Sequence, residues 1–185
     1  MKLIGISGLA RSGKDSIYLK CKPILRSMGY SVKRVAFADC LKSECDELLS
    51  KYTGISAFTE DTKEKEIIRP LLVTYGTHIR RKLNKNCWID KIDGMVKSFL
   101  SDNIITFVTD VRFENEINWV HDLRGLSVHI SREGVKPPNQ EEAENNPKLK
   151  NLSSLKLRWG DFGKEDPENI NSIINQVIEG IKNGR

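Results

Sequence analysis

Residues 5–18 read GISGLARSGKDSIY. Gly8, Gly13 and Lys14 fit the spacing G-x-x-x-x-G-K, which has a definite chemical use. Glycines let a backbone curl until several N–H groups face one point, and a helix that follows adds the positive end of its dipole. Gly8, Ala10, Arg11, Ser12, Gly13, Lys14, Asp15 and Ser16 therefore form a candidate cradle for the phosphates of ATP. Lys14 is the cation that would reach the β- and γ-phosphates. The plainer alternative is a tight glycine turn joining a strand to a helix. The context favours the cradle, with a strand expected before the loop and a helix after it.

Asp15 stands where such loops carry a hydroxyl that holds Mg²⁺. A carboxylate about 5 Å from a phosphate charge costs about 3 kcal/mol at an effective dielectric near 20. Asp15 is thus expected either to hold Mg²⁺ through water or to turn away and pair with a cation. Ser16 does not replace it, because on a helix it lies about 200° round from Lys14. It would meet a different phosphate, the α.

These residues need a scaffold. The chain has 185 residues, 38% hydrophobic and 30% charged, which suits one domain with a full core. No apolar run approaches the roughly 20 residues that span a bilayer. The start, MKLIGISG, lacks the apolar centre and cleavage site of a signal peptide, so a buried first strand is expected. Cys21, Cys40, Cys45 and Cys87 form no C-x-x-C pair and are read as reduced thiols. The net charge of +5 suits a site for small polyphosphates, nucleic acid, or solubility alone.

Strands are expected at 2–8, 31–38, 103–110, 126–131 and 155–159. Helices are expected from Gly13 to about Met28 (with Pro23 kinking or shortening it), at 39–52, 66–83, 88–100, 114–123 and 167–181. Residues 132–153 are polar and bear prolines, so a long loop or mobile flap is expected there. Strands alternating with helices predict an α/β domain with a five-stranded, mainly parallel sheet. Ligands of such sheets bind at the carboxyl ends of the strands. The glycine loop, Asp110 and Arg132 all fall at or after strand ends, which groups them in one site.

Moving a phosphoryl group requires positive charge and positioning more than covalent help. Lys14, Lys42, Arg69, Arg81, Arg112 and Arg132 offer that charge from separate segments. Asp110 ends an apolar strand, a usual place for an acid that orients water on Mg²⁺. Each residue also has a plainer reading. Arg69 and Arg81 could be a solvated helix face, Arg112 could merely pair with Asp110, Asp39 could cap its helix, and Trp88 could be core. His78, His121 and His129 show no triad or metal partner and are read as structural.

Four further segments, FADCLK (37–42), RPLLVTYGTHIRRKLNKNCWID (69–90), TDVRFENE (109–116) and NNPKLKNLSSLKLRWGDFG (145–163), join SGKDS in one order along nearly the whole chain. Together they resemble the deoxynucleoside monophosphate kinases typical of tailed bacteriophages, relatives of the adenylate and thymidylate kinases. The resemblance implies a P-loop fold with an acceptor-binding helical insertion at about 54–101 and a flap at about 132–153. It implies transfer of the γ-phosphoryl of ATP, with Mg²⁺, to a (deoxy)nucleoside 5′-monophosphate. Lys14 and the loop amides would hold ATP. Asp39 and Lys42 would face the acceptor, and Arg69, Gly76, Thr77 and Arg81 would bind the monophosphate, with Trp88 nearby. Asp110 and Arg112 match the strand-end acid and arginine of adenylate kinases, Asp15 and Asp110 would meet the metal through water, and Arg132 would cover the nucleotide phosphates. Asn115 and Glu116 would read base or sugar.

The sequence departs from that pattern at His78, where an acidic residue usually follows Gly-Thr, and at NQEEAENN (139–146), which lacks the His-Pro-Ser-Glu of some relatives and to which no site is assigned. The reading expects a cytoplasmic protein (host cytoplasm if phage-encoded), small-molecule nucleotide partners, no membrane and no nucleic acid, and it leaves a homodimer open. Another P-loop small-molecule kinase is the main competitor, since animal phosphomevalonate kinases also carry a GKD loop. A nucleic-acid-binding ATPase fits less well, because aromatics are only 7% and the basic clusters are short and scattered. A catalytically dead interaction domain would not need Lys14, Asp110 and Arg112 intact.

Overall fold

The computed structural model describes residues 1–160 and 167–183. Residues 161–163, the end of one segment that carries the resemblance, lie outside the described residues. The described chain forms two compact units: Met1–Val35 with Met95–Arg185, and Ala36–Gly94.

The first unit is built on five strands, β1 (Leu3–Ser7), β2 (Val32–Val35), β3 (Ile105–Val111), β4 (Leu126–Arg132) and β5 (Leu155–Trp159). They lie in the order β2-β3-β1-β4-β5 and every pairing is parallel. The apolar runs dictate this arrangement. β1 is buried along its whole length and β3 nearly so, as strands covered on both faces must be. Alternate residues divide between the faces. Ile4, Ile6, Phe107, Val128, Ile130 and Leu157 join Ile17, Cys21 and Leu25 of α1 (Lys14–Ser27) and Ile174, Val177 and Ile178 of α8 (Pro167–Asn183) in one core.

The opposite face meets α6 (Glu114–Asp122) and α7 (Gln140–Leu152) and is more polar. Ser7 Oγ lies 3.0 Å from Nδ1 of His129 and 3.5 Å from Oγ of Ser153. His129 is only 1% exposed. Burial, with the charges of Lys150, Lys14 and Lys156, lowers its pKa to about 4.

Strand register aligns the carboxyl ends. Ser7 pairs with Val111 on one side, past an irregularity in the ladder, and with His129 on the other, while Arg132 pairs with Trp159. The residues just beyond β1, β3 and β4 thus emerge at one edge, where parallel sheets bind ligands.

The second unit is helical. It holds α2 (Phe37–Thr53), α3 (Thr62–Val73), a π-helical segment (Thr74–Arg80) and α4 (Arg81–Leu83), and α5 (Cys87–Ser101) starts in it. Asp61 caps α3 by accepting from the amides of Lys63 and Glu64. Cys45, Leu49, Ala57 and Ile68 form its core, with Leu41, Ile55, Leu72 and Tyr75 packed against them.

Several expectations need correction. Residues 132–153 are not one long loop, because α7 fills the second half of the stretch. Asn139 caps it, accepting from the amide of Glu142 at 2.8 Å, and Glu141 and Glu142 sit favourably in its first turn. Pro23 does not shorten α1, which runs on to Ser27. The second strand ends at Val35 instead of residue 38, and Ala36 rather than Asp39 is the N-cap of α2. The amide of Asp39 already bonds back to the carbonyl of Ala36 inside the first turn.

A buried His129 with a depressed pKa gives a definite sign to stability against pH. Below about 6.5 the unfolded chain takes up a proton that the folded chain refuses until about pH 4. Stability should therefore fall as pH drops from about 6.5 to 4, by about 3 kcal/mol for this group. Denaturant titrations should show this slope in the native chain and a reduced one in His129→Asn; equal slopes would contradict the assignment.

Candidate active site

The glycine loop follows β1 directly. Gly8 has φ +141°, and a Cβ there would lie 2.2 Å from the carbonyl oxygen of Ile130 on β4. Only glycine fits, and this lets the loop turn tightly over the strand ends. Arg11 sits at φ +65° and Gly13 at φ +96°, so with Gly8 three residues of the loop have positive φ. For Arg11 this is a costly conformation of the kind that concentrates at functional loops. The amide of Ser12 bonds to the carbonyl of Leu9, and that of Ile17 to Gly13, which begins α1. The Ser12 hydroxyl is buried and has no hydrogen-bond partner among the described residues. A curled backbone, a glycine cradle and an orphaned buried hydroxyl fit the phosphates of a nucleotide.

Lys14 is the first residue of α1 and is 9% exposed. Its Nζ donates to the carbonyls of Gly8 (2.8 Å) and Leu9 (2.7 Å). Burial, and next the charge of Arg112, lower its pKa to about 8, while the charges of Glu142, Asp15 and Asp110 work the other way. The electrostatics thus tie these five groups into one site. To reach a phosphate, the ammonium exchanges two carbonyl contacts for phosphate oxygens.

Asp15 takes the second of the two courses open to it. Its carboxylate pairs with Nε of Arg34 at 3.3 Å and remains well exposed. Ser16 is half-buried in the first turn of α1, and Asp110 is half-buried near the end of β3. No group of three or more His, Cys, Asp or Glu side chains able to hold a metal ion occurs among the described residues. A Mg²⁺ here would be held mainly by phosphate oxygens and water, which suits its reluctance to dehydrate.

Arg112 leaves β3 with its guanidinium at the same edge. Its Nη1 donates to Oε1 of Glu142 at 2.8 Å, and its backbone amide donates to Oε2 of Glu116 at 2.7 Å. That Glu116 oxygen also accepts from the amide of Phe113, the N-cap of α6. Glu116 is 1% exposed, so this carboxylate fixes the turn that presents Arg112 and offers no surface to a base or sugar, contrary to expectation. Asn115 beside it is half-buried. Arg132 ends β4, donating from Nε to the carbonyl of Gly160 at 2.9 Å with its guanidinium 5.8 Å from the ring centre of Trp159. The Trp159 ring in turn lies against Gly13. Arg132 is thus placed beside the loop.

The other expected residues lie in the helical unit. Lys42 lies in α2, its ammonium 5.5 Å from the ring centre of Phe58, and Asp39 is half-buried one turn earlier. Arg69 is exposed on α3, Thr77 is half-buried in the π-helical segment, and Arg81 donates to the carbonyl of Lys85 at 3.2 Å. A Cβ on Gly76 would meet Leu41 at 2.8 Å, so this glycine allows α2 and the π-helical segment to touch. Trp88 is 3% exposed with its indole N–H aimed at the carbonyl of Gly76 (3.4 Å), which makes it core and not a stacking platform.

Sequence reasoning missed Glu44, Tyr75 and Arg80. Glu44 accepts from the Tyr75 hydroxyl at 2.8 Å and pairs with Arg80 (3.2 Å) and Lys91 (3.1 Å), and Arg80 lies over the Trp88 ring. Arg80 and Arg81 are neighbours in RRKL, and only the widened turn decides which one faces Glu44. Glu142 was also missed. Its segment matches no phosphate motif, and only the three-dimensional contact with Ala10 and Arg112 marks it.

The sheet order, the glycine loop and its lysine define a P-loop NTPase fold. Solved structures agree: dephospho-CoA kinase from Campylobacter jejuni is similar with a TM-score of 0.53 at 13% identity, covering 97% of this chain and 98% of its own. Shikimate kinase from Bacteroides thetaiotaomicron is similar with a TM-score of 0.50 at 11% identity, covering 97% and 98%. In sequence, the chain is 24% identical over 200 residues to a protein of Acanthamoeba polyphaga mimivirus called "Putative deoxynucleotide monophosphate kinase", covering 99% of this chain and 97% of that one. No family model matches.

Removing the Glu116 carboxylate leaves two amides without their acceptor. Glu116→Ala should cost about 1–3 kcal/mol of stability, read as a lower melting temperature. An unchanged melting temperature would mean that this carboxylate does not hold the turn.

Proposed function

We propose that this protein is a phosphotransferase that moves the γ-phosphoryl of ATP to a (deoxy)nucleoside 5′-monophosphate. The observation that carries the reading is the meeting of a glycine cradle and its buried Lys14 with Arg112 at one edge of a parallel sheet. The first cation serves the donor triphosphate. The second, coming from another strand, supplies the charge that a phosphoryl group needs while it travels. The full-length similarity to a viral protein named as a deoxynucleotide kinase supports a nucleotide acceptor.

In this mechanism the loop amides and Lys14 bind the β- and γ-phosphates, and Ser16 meets the α-phosphate. Asp110 would hold Mg²⁺ through water, as Asp15 would on leaving its Arg34 pair, and the ion would offset charge on the phosphates. Arg112 and Arg132 offset charge on the transferring group and the acceptor phosphate. The helical unit carries the acceptor through Asp39, Lys42, Arg69, Gly76, Thr77 and Arg81, and Asn115 of α6 is a further candidate for reading base or sugar. Trp88 supports Gly76 from within that unit's core. No general base is required, since an acceptor phosphate oxygen is already anionic.

A coupled ADP-release assay with ATP and Mg²⁺ against the four deoxynucleoside monophosphates, AMP, GMP, UMP and phosphomevalonate tests this directly. Turnover on one or more nucleotides is expected, and turnover on phosphomevalonate alone would move the acceptor to another class. Lys14→Ala should abolish turnover. Arg112→Ala should lower kcat/KM for the monophosphate by about 10²-fold or more while leaving ATP able to bind; full activity at low monophosphate would remove Arg112 from the acceptor side.

A further inference from the structure

Glu142 lies in the first turn of α7, and its side chain is 11% exposed. Its backbone is pinned, because its amide donates to the capping side chain of Asn139. Its two carboxylate oxygens are both engaged at the phosphate loop. Oε2 accepts from the amide of Ala10 at 3.1 Å, and Oε1 accepts from the guanidinium of Arg112 at 2.8 Å. One anionic group thus bridges a loop amide and the arginine of the neighbouring strand.

Those are two donors that a phosphoryl group would use. A carboxylate and a phosphoryl group each present paired anionic oxygens, and both suit a backbone N–H beside an arginine fork. The Ala10 amide has one hydrogen and cannot serve both anions in full, and two anions drawn to one amide and one guanidinium repel. We infer that Glu142 is an internal phosphate mimic that competes with the nucleotide's terminal phosphoryl for Ala10 and Arg112, so that α7 must release this carboxylate before the triphosphate seats fully. The inference rests on the reading of the loop as a triphosphate cradle. It assigns α7 a regulatory part: nucleotide binding and departure of its first turn are one equilibrium.

The same contacts would serve the opposite role if Glu142 stayed in place and held Arg112 for catalysis. The two roles differ in sign. A competitor, once removed, raises affinity for the ligand it excludes, whereas a support, once removed, lowers it.

The test measures binding of inorganic tripolyphosphate to the full chain and to Glu142→Gln by calorimetry. Glutamine keeps the size of the side chain and an oxygen for Ala10 but removes the charge. The variant is expected to bind tripolyphosphate about two- to fivefold more tightly, the scale of one partly screened ion pair converted to a population shift. In the native chain, tripolyphosphate should also speed amide exchange at residues 140–144, a readout that needs no substitution. Equal or weaker binding by Glu142→Gln, or slower exchange at 140–144, overturns the inference while leaving the cradle intact. If neither form binds tripolyphosphate, the cradle reading itself falls and the inference falls with it.

Discussion

A lysine ammonium held almost out of water governs the carboxyl edge of the sheet. Lys14 has lost most of its hydration and stands near a second cation, Arg112, which together bring its pKa down to about 8. Such a charge persists only if fixed dipoles and nearby acids replace the lost water. The carbonyls of Gly8 and Leu9 supply the dipoles, and Glu142, Asp15 and Asp110 supply opposite charge. Because the ammonium is poorly hydrated, exchanging these partners for phosphate oxygens costs little further desolvation. The same feature that strains the fold prepares it to bind an anion.

Backbone geometry makes that arrangement possible. The approach of Gly8 to the Ile130 carbonyl sets the loop hard against β4, and the parallel register brings the ends of β1, β3 and β4 level. Glu116, buried at the start of α6, then fixes the turn from which Arg112 projects. Three separate segments thus deliver their groups to one place with all four cysteines free. Stability and function share these devices, so a change to Gly8 or Glu116 touches both.

Much of this was legible in the sequence, and the reasons are particular. The strands showed because they are apolar runs bounded by glycine or polar turns, and a parallel order follows from their alternation with helices. The phosphate loop showed because its glycines and lysine keep a fixed spacing. α7 did not show, because it buries only Leu149, contains Pro147 and reads as a polar loop. It forms through its Asn139 cap and its packing against α6 and the sheet, which local pattern cannot reveal. The π-helical segment was equally hidden: one widened turn changes which arginine meets Glu44 and leaves Gly76 against Leu41. The resemblance set Glu116 to read base or sugar, and only its burial and its bonds to two amides showed that it is a cap.

The central claim is transfer between two nucleotides, as opposed to simple hydrolysis. Incubating the full chain with γ-labelled ATP, Mg²⁺ and a deoxynucleoside monophosphate, then separating the products, tests it most directly. The account expects the label in a deoxynucleoside diphosphate, with little released as inorganic phosphate. Label found only as inorganic phosphate, with every monophosphate recovered unchanged, would contradict it and leave a triphosphatase in its place.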